Sequence, residues 1–140
     1  IMSEQVTFRT FKEGDYEMCC DWWKWWWKEI PVKRKVLPND ERCFVIENNN
    51  TPVAAVFLYA AVNPEVGYQT WLVSNPEYRR KDRRKMLELL VANVAKEAKE
   101  TWGMSMLFTV CVNKHMENIH ENQGWFIERS APCYEAFKYL

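Results

Sequence analysis

A mixed α/β fold is predicted for this 140-residue chain by three observations. Short segments of alternating or continuous apolar character read as strands, and longer segments with apolar residues three and four apart read as helices. Turn-forming residues separate the two kinds. Neither kind is confined to one half of the sequence, as it would be if the chain were all-helical at one end and all-strand at the other.

Gln5 to Arg9 alternates and reads as a first strand. Gly14-Asp15 makes a turn with Asp15 as the helix cap, and a helix follows to about Ile30, where Pro31 stops it. On a helical projection Tyr16, Cys19, Cys20, Trp23, Trp26, Trp27 and Ile30 share a face, which is the expected core stripe. Met18, Trp22 and Trp25 fall on its flank. Val32 to Asn39 reads as irregular. Arg42 to Glu47 and Val53 to Ala60 are two strands of a hairpin, joined by asparagines that tolerate left-handed backbone. Tyr68 to Ser74 is a fourth strand, ended by Asn75-Pro76.

The longest helix is expected from about Arg80 to Thr101, with Met86, Leu87, Leu90, Val91, Val94, Ala95 and Ala98 as its apolar stripe and Gly103 closing it. Met104 to Val112 is nearly continuously apolar, as for a strand buried on both faces. Asn113 caps a short helix over Lys114 to Gln123, ended by Gly124. Trp125 to Arg129 and Tyr134 to Tyr139 read as two last strands around Pro132. No repeat, low-complexity linker or shift of composition interrupts the chain, so one domain over residues 1–140 is expected.

Composition excludes several classes. The chain is 48% hydrophobic and 27% charged, too apolar for disorder, and no apolar run approaches the roughly 20 residues needed to cross a bilayer. Ile1-Met2-Ser3 begins no charged and then apolar stretch, so no secretion signal is expected there. Five cysteines without CxxC spacing, and two histidines with no cysteine at matching distance, point to reduced thiols in a cytoplasmic protein, with no zinc site or other metal.

Charge is balanced at 19 basic and 19 acidic residues, but it is unevenly placed. Arg79, Arg80, Lys81, Arg83, Arg84 and Lys85 occupy six of seven consecutive positions, broken only by Asp82. The remainder carries 13 basic and 18 acidic residues, a net of −5, so the basic run is a local feature rather than part of a generally nucleic-acid-binding surface. Cations at a helix start oppose the positive end of the dipole. Together with the outward-pointing amides they make a site for an anion, and a pyrophosphate with a ribose phosphate suits it. A solvated basic surface or a contact with nucleic-acid phosphates would use the same residues.

Two passages resemble the GNAT N-acetyltransferase family, and the order of elements, over nearly the whole chain, is the one that family uses. Val73-Ser74-Asn75-Pro76-Glu77-Tyr78-Arg79-Arg80-Lys81-Asp82-Arg83-Arg84 is similar to its strand–loop–helix stretch, in which a valine, a proline and a tyrosine–arginine pair precede an [RQ]-x-x-G-x-[GA] loop. Arg79 takes the leading position, while Asp82 and Arg84 replace the two small residues. The family also shows an asparagine after the fifth strand and a Gly-Phe pair eleven residues on. Here Asn113 and Gly124 keep that spacing, Trp125 replaces Phe, and His120 stands where the family has a tyrosine.

The resemblance implies the acyl-CoA N-acyltransferase fold, a mixed central sheet of about seven strands with helices on both faces. It implies acetyl-CoA as donor substrate, direct transfer to an amine acceptor, and a cofactor site of Leu72, Val73, Arg79, Arg80, Lys81, Asp82, Arg83, Arg84, Lys85 and Asn113. Asp82 is alternatively a helix cap, and so is Asn113. His120 stands where it would protonate the departing thiolate, or is a plain surface histidine. Trp22 and Trp25, off the core stripe, are candidates for stacking on the acceptor or for a partner or homodimer interface. The alternative function is a catalytically inactive domain of the same fold that binds protein or nucleic acid.

Overall fold

The computed structural model describes residues 5–61, 65–130 and 133–140. They group into two compact units, Ile1–Thr109 and Val110–Leu140.

The first unit is built on a five-stranded mixed sheet in the order β1-β2-β3-β4-β5. β1 is Val6–Thr10, β2 Cys43–Asn48, β3 Thr51–Ala60, β4 Val66–Ser74 and β5 Met106–Thr109. β1 to β4 form an antiparallel meander. β5 adds in parallel to β4, from Val66↔Met106 to Gln69↔Thr109. That parallel step needs a crossover, and helix α2 (Arg83–Glu100) supplies it. The hairpin between β2 and β3 turns through Asn49 and Asn50, both at positive φ, as asparagine permits.

The core lies on both faces of the central strands. Cys43 and Val45 of β2, with Ala55 and Phe57 of β3, pack with Cys19, Cys20, Trp22 and Trp23 of helix α1 (Asp15–Trp27). The alternate residues Phe44, Ile46, Ala54, Val56 and Leu58 point to the other face and are buried there. On α2 the predicted stripe is buried at Met86, Leu87, Leu90, Val91, Val94 and Ala98. Helices on both faces of a mixed sheet are therefore observed. At Gly67 the approach is so close that a Cβ would stand 2.5 Å from Met104 Sδ, so only glycine lets Met104 and Leu107 reach β4.

The end of β2 is polar and clamps both faces. Arg9 of β1 bonds Glu47 through Nε and Asp15 through Nη1 at 2.6 Å and Nη2 at 3.2 Å. Asp15 Oδ2 also accepts from Lys12 N at 2.8 Å, closing the turn into α1. The carboxylate thus fixes the approach to the helix, while Gly14 at φ 91 is the N-cap and offers no side chain. Asp15 is the first helical residue, one position later than the cap role expected of it. Burial lowers the pKa of the Arg9 guanidinium, but its bonds to Asp15 and Glu47 more than offset this and raise it.

Three other expectations are corrected. α1 ends at Trp27, where Lys28 adopts φ 64, before Ile30. Trp22 is 7% exposed and belongs to the core, whereas Trp26 and Trp27 are 41% and 42% exposed. Periodicity says which residues share a face, but not where the surface beneath that face ends. β5 is shorter than Met104–Val112 and is not buried on both faces, since Met106 and Phe108 are about half exposed.

In the second unit, helix α3 is Lys114–Asn122, capped by Asn113 Oδ1 accepting from Met116 N at 2.9 Å. The described residues after it, 123–130 and 133–140, contain no strand. The expected segments Trp125–Arg129 and Tyr134–Tyr139 therefore do not bring the count to seven, and Pro132 lies outside the described residues. Alternation gives a segment two faces, but a strand is made only by a ladder with a partner. No helix among the described residues is long and apolar enough to cross a membrane.

Candidate functional site

The site grows from the C-terminal end of β4. Its ladder with β3 pairs Ala55 with Val73 and Phe57 with Thr70, so Val56 alone faces Trp71 and Leu72. This is a β-bulge, and Trp71 holds it at φ 59. A left-handed conformation at a bulky residue costs about 1–2 kcal/mol. The ladder to β5 ends at Gln69, five residues before β4 itself ends at Ser74. Leu72 and Val73 therefore lie where β4 has run past β5 and its twist has been altered. Val73 is buried and Leu72 half-buried.

The chain then turns through Asn75 to Asp82 into α2. Asn75 anchors the turn: its N–H donates to Val53 O, its Nδ2 to Pro52 O, and its Oδ1 accepts from Glu77 N. Tyr78 and Asn48, both buried, hold the other end of the loop. Tyr78 Oη donates to Asp82 Oδ1 at 2.8 Å, and Asn48 Nδ2 donates to Asp82 Oδ2 at 3.1 Å. Burial pushes the Tyr78 phenol up, and the Asp82 bond adds to the rise, so the donor keeps its proton. Asp82 stands at the N-cap of α2 but its side chain caps nothing. It ties the loop to β2, a role open to a carboxylate and not to the small residue expected at this position.

The six basic residues divide into groups with different surroundings. Arg84 Nε pairs with Glu88 at 3.0 Å, and Arg80 stands 3.9 Å from Asp82. Lys81 and Lys85 are exposed. Arg79 and Arg83 are different. Arg79 Nε donates to Pro76 O at 3.1 Å, and its guanidinium lies 5.8 Å from the centre of the Trp25 ring. Arg83 donates to Ser74 Oγ and lies 5.3 Å from the Trp26 ring. Burial, with the nearby Arg79 charge, lowers the pKa of Arg83. Neither forms an ion pair with a carboxylate among the described residues. Two like charges kept close without a counter-ion form an electrostatic demand that an anion would relieve.

Trp26 completes the arrangement. Its Nε1 donates to Ser74 O at 2.8 Å, and it packs edge-on to Trp25 with centroids 4.6 Å apart. The end of α1 is thereby brought to the end of β4, a contact no local pattern foretells. Of the two tryptophans expected on the flank, only Trp25 is exposed, at 47%; Trp22 is committed to the core and is no surface for an acceptor.

In the second unit His120 is 2% exposed. Its Nδ1 lies 2.7 Å from Met116 O, and since a carbonyl can only accept, Nδ1 carries the proton. In the neutral ring Nε2 then holds a lone pair. Burial lowers the His120 pKa, against the Met116 bond, so the neutral form prevails at neutral pH. A buried, neutral imidazole of this tautomer is poorly suited to the acid role expected of it, and it is not a surface histidine. The sign of its effect on stability follows. Between the lowered folded pKa and the ordinary value near 6.5 the unfolded chain binds more protons, so stability rises with pH across that window and falls on acidification. Urea midpoints measured from pH 7.5 to 5 are expected to drop for the native chain and to drop less for His120→Gln.

Asn113 is exposed and serves as the α3 cap. The bulge at Trp71 and the Asn48–Tyr78–Asp82 tie are the features that sequence reasoning missed; the asparagine and tyrosine carry no periodic signal, and the bulge exists only against β3.

No protein-family model matches the chain, and no curated protein matches its sequence. Solved structures match its fold. N-acetylglutamate synthase from Neisseria gonorrhoeae, complexed with coenzyme A and N-acetyl-glutamate, superposes with a TM-score of 0.64 at 18% identity. That match covers 84% of this chain but only 28% of the synthase. An aminoglycoside acetyltransferase from an uncultured soil metagenomic sample gives 0.65 at 13% identity, over 96% of this chain and 97% of that one. The ribosomal-protein-S18-alanine N-acetyltransferase of Escherichia coli gives 0.59 at 17%, over 86% and 77%. The chain thus has the fold of the GNAT N-acetyltransferases.

Proposed function

We propose that the protein is an acyl-CoA-dependent N-acyltransferase that moves an acetyl group from acetyl-CoA to an amine. The observation that carries this reading is the pair Arg79 and Arg83, held without a carboxylate partner among the described residues where a bulged strand runs into a long helix. The fold shared with acetyltransferases, one of them solved with coenzyme A, supports it.

In this reading the pyrophosphate of the donor lies on the first turn of α2, where amides and the two guanidiniums neutralise it. Arg80, Lys81, Arg84 and Lys85 add a longer-range positive field that outweighs the single charge of Asp82, whose oxygens are turned to Tyr78 and Asn48 and hold the loop. The pantetheine arm pairs with the backbone of β4 at Leu72 and Val73, beyond the end of the β5 ladder. The amine nitrogen attacks the thioester carbonyl, and a β4 amide at the bulge stabilises the oxyanion. The carbon–sulfur bond then breaks, the thiolate leaves with CoA, and the amine proton passes to water. A strained bulge at this point is the kind of local cost found at functional sites.

Calorimetric titration with acetyl-CoA tests the proposal. A dissociation constant in the micromolar range is expected. Absence of heat at millimolar acetyl-CoA would overturn it and leave the inactive binding domain as the better reading.

A further inference from the structure

We infer that Trp25 and Trp26 are a stacking platform for the purine ring of the nucleotide whose phosphates Arg79 and Arg83 hold. The inference rests on the donor reading above and assigns it a residue pair that no part of the loop supplies.

Two exposed indoles lie together at the end of α1, edge to face, with nearly half of Trp25 open to solvent. They are not a loose apolar patch. Trp26 is fixed by its bond to Ser74 O, the residue whose hydroxyl also fixes Arg83. Each ring lies within 6 Å of a guanidinium, Trp25 of Arg79 and Trp26 of Arg83. The surface therefore offers flat aromatic area and two positive charges in one place, already oriented. A ligand that satisfies both carries a planar ring and phosphates within a few ångströms of each other, which is the chemistry of a nucleotide.

The other occupants fit less well. A twofold contact centred on this patch would bring Arg79 and Arg83 up to their own equivalents, placing like charges together. A long nucleic-acid strand needs a basic track, and outside the run from Arg79 to Lys85 the chain has a net charge of −5. A planar or cationic acceptor, the first reading of Trp25, would be repelled by the two arginines if it carried the positive charge typical of amines.

The test uses the full chain and three probes: acetyl-CoA, adenosine 3′,5′-bisphosphate and pyrophosphate. Binding is followed by heat and by tryptophan emission. For Trp25→Ala/Trp26→Ala the affinity for adenosine 3′,5′-bisphosphate is expected to fall roughly tenfold or more, the loss of stacking on one base. Pyrophosphate affinity is expected to stay the same, and Trp25→Phe is expected to recover much of the loss. Circular dichroism of each variant separates lost binding from lost folding.

If both nucleotides bind the double variant as they bind the native chain, the platform is overturned while the donor site stands. If adenosine 3′,5′-bisphosphate binds in a tryptophan-dependent way but acetyl-CoA does not bind, the platform stands and the donor reading falls. If none of the three probes binds the native chain, both are overturned.

Discussion

Replacing Arg79 and Arg83 together by alanine is expected to weaken acetyl-CoA binding about a hundredfold, whereas Arg80→Ala/Arg84→Ala is expected to weaken it less than tenfold. A hydrogen bond from a charged group contributes about 1.5–3 kcal/mol, and each tenfold in affinity is about 1.4 kcal/mol. Two such contacts, overlapping on one pyrophosphate, account for the larger figure without assuming additivity. The contrast rests on pairing. Arg84 is bonded to Glu88 and Arg80 lies near Asp82, so part of each charge is already answered. Arg79 and Arg83 are held by carbonyl, hydroxyl and indole groups that leave their charge intact. Calorimetry at two salt concentrations reads both effects, because a lost phosphate contact also flattens the salt dependence. Equal losses in the two variants would mean that the run acts as a diffuse field and that the pair is not a site.

Arg9→Ala is expected to destabilise the fold by about 3 kcal/mol, a large share of the roughly 5–15 kcal/mol that holds a domain together. Its removal leaves Asp15 and Glu47, both under 10% exposed, as buried carboxylates without a cation. It also frees the turn from Phe11 to Gly14, since Asp15 would no longer be braced while it accepts from Lys12 N. The urea midpoint of Arg9→Ala checks the size of the effect. Arg9→Met combined with Asp15→Asn and Glu47→Gln is expected to recover part of the loss, because no charge is then left buried. If Arg9→Ala unfolds at the native midpoint, the clamp contributes no more than an exposed ion pair.

The clamp also bears on the site. Glu47 and Asn48 are consecutive residues of β2 and point to opposite faces. One holds the start of α1 through Arg9, and the other holds the loop before α2 through Tyr78 and Asp82. The helix that carries Trp25 and the loop that carries Arg79 are thus both referenced to the end of one central strand. Placement of aromatic and cationic groups to within a fraction of an ångström needs rigid support of this kind.

The order of elements through α3 is legible along the chain, because each is written in local patterns. α2 shows its stripe from Met86 to Ala98, Asn113 its capping side chain, and the β2–β3 hairpin its asparagines. The basic run is legible too, since charge density needs no contacts to be seen. Where each pattern meets another is set by folding and is not written in any local pattern. Trp22 and Trp26 exchange the places that helical projection gives them, because the end of the underlying sheet, not the helix, sets which indole is covered. The tail residues keep their alternation without becoming strands, since pairing requires a partner edge. The bulge at Trp71 exists only against Val56, fifteen residues away in the chain. Arg79 and Arg83 differ from Arg80 and Arg84 only in what surrounds them, and those surroundings come from α1, β4 and the α2 surface. Local propensity and charge can be read along a chain, but burial and counter-ions are properties of neighbours brought together by folding.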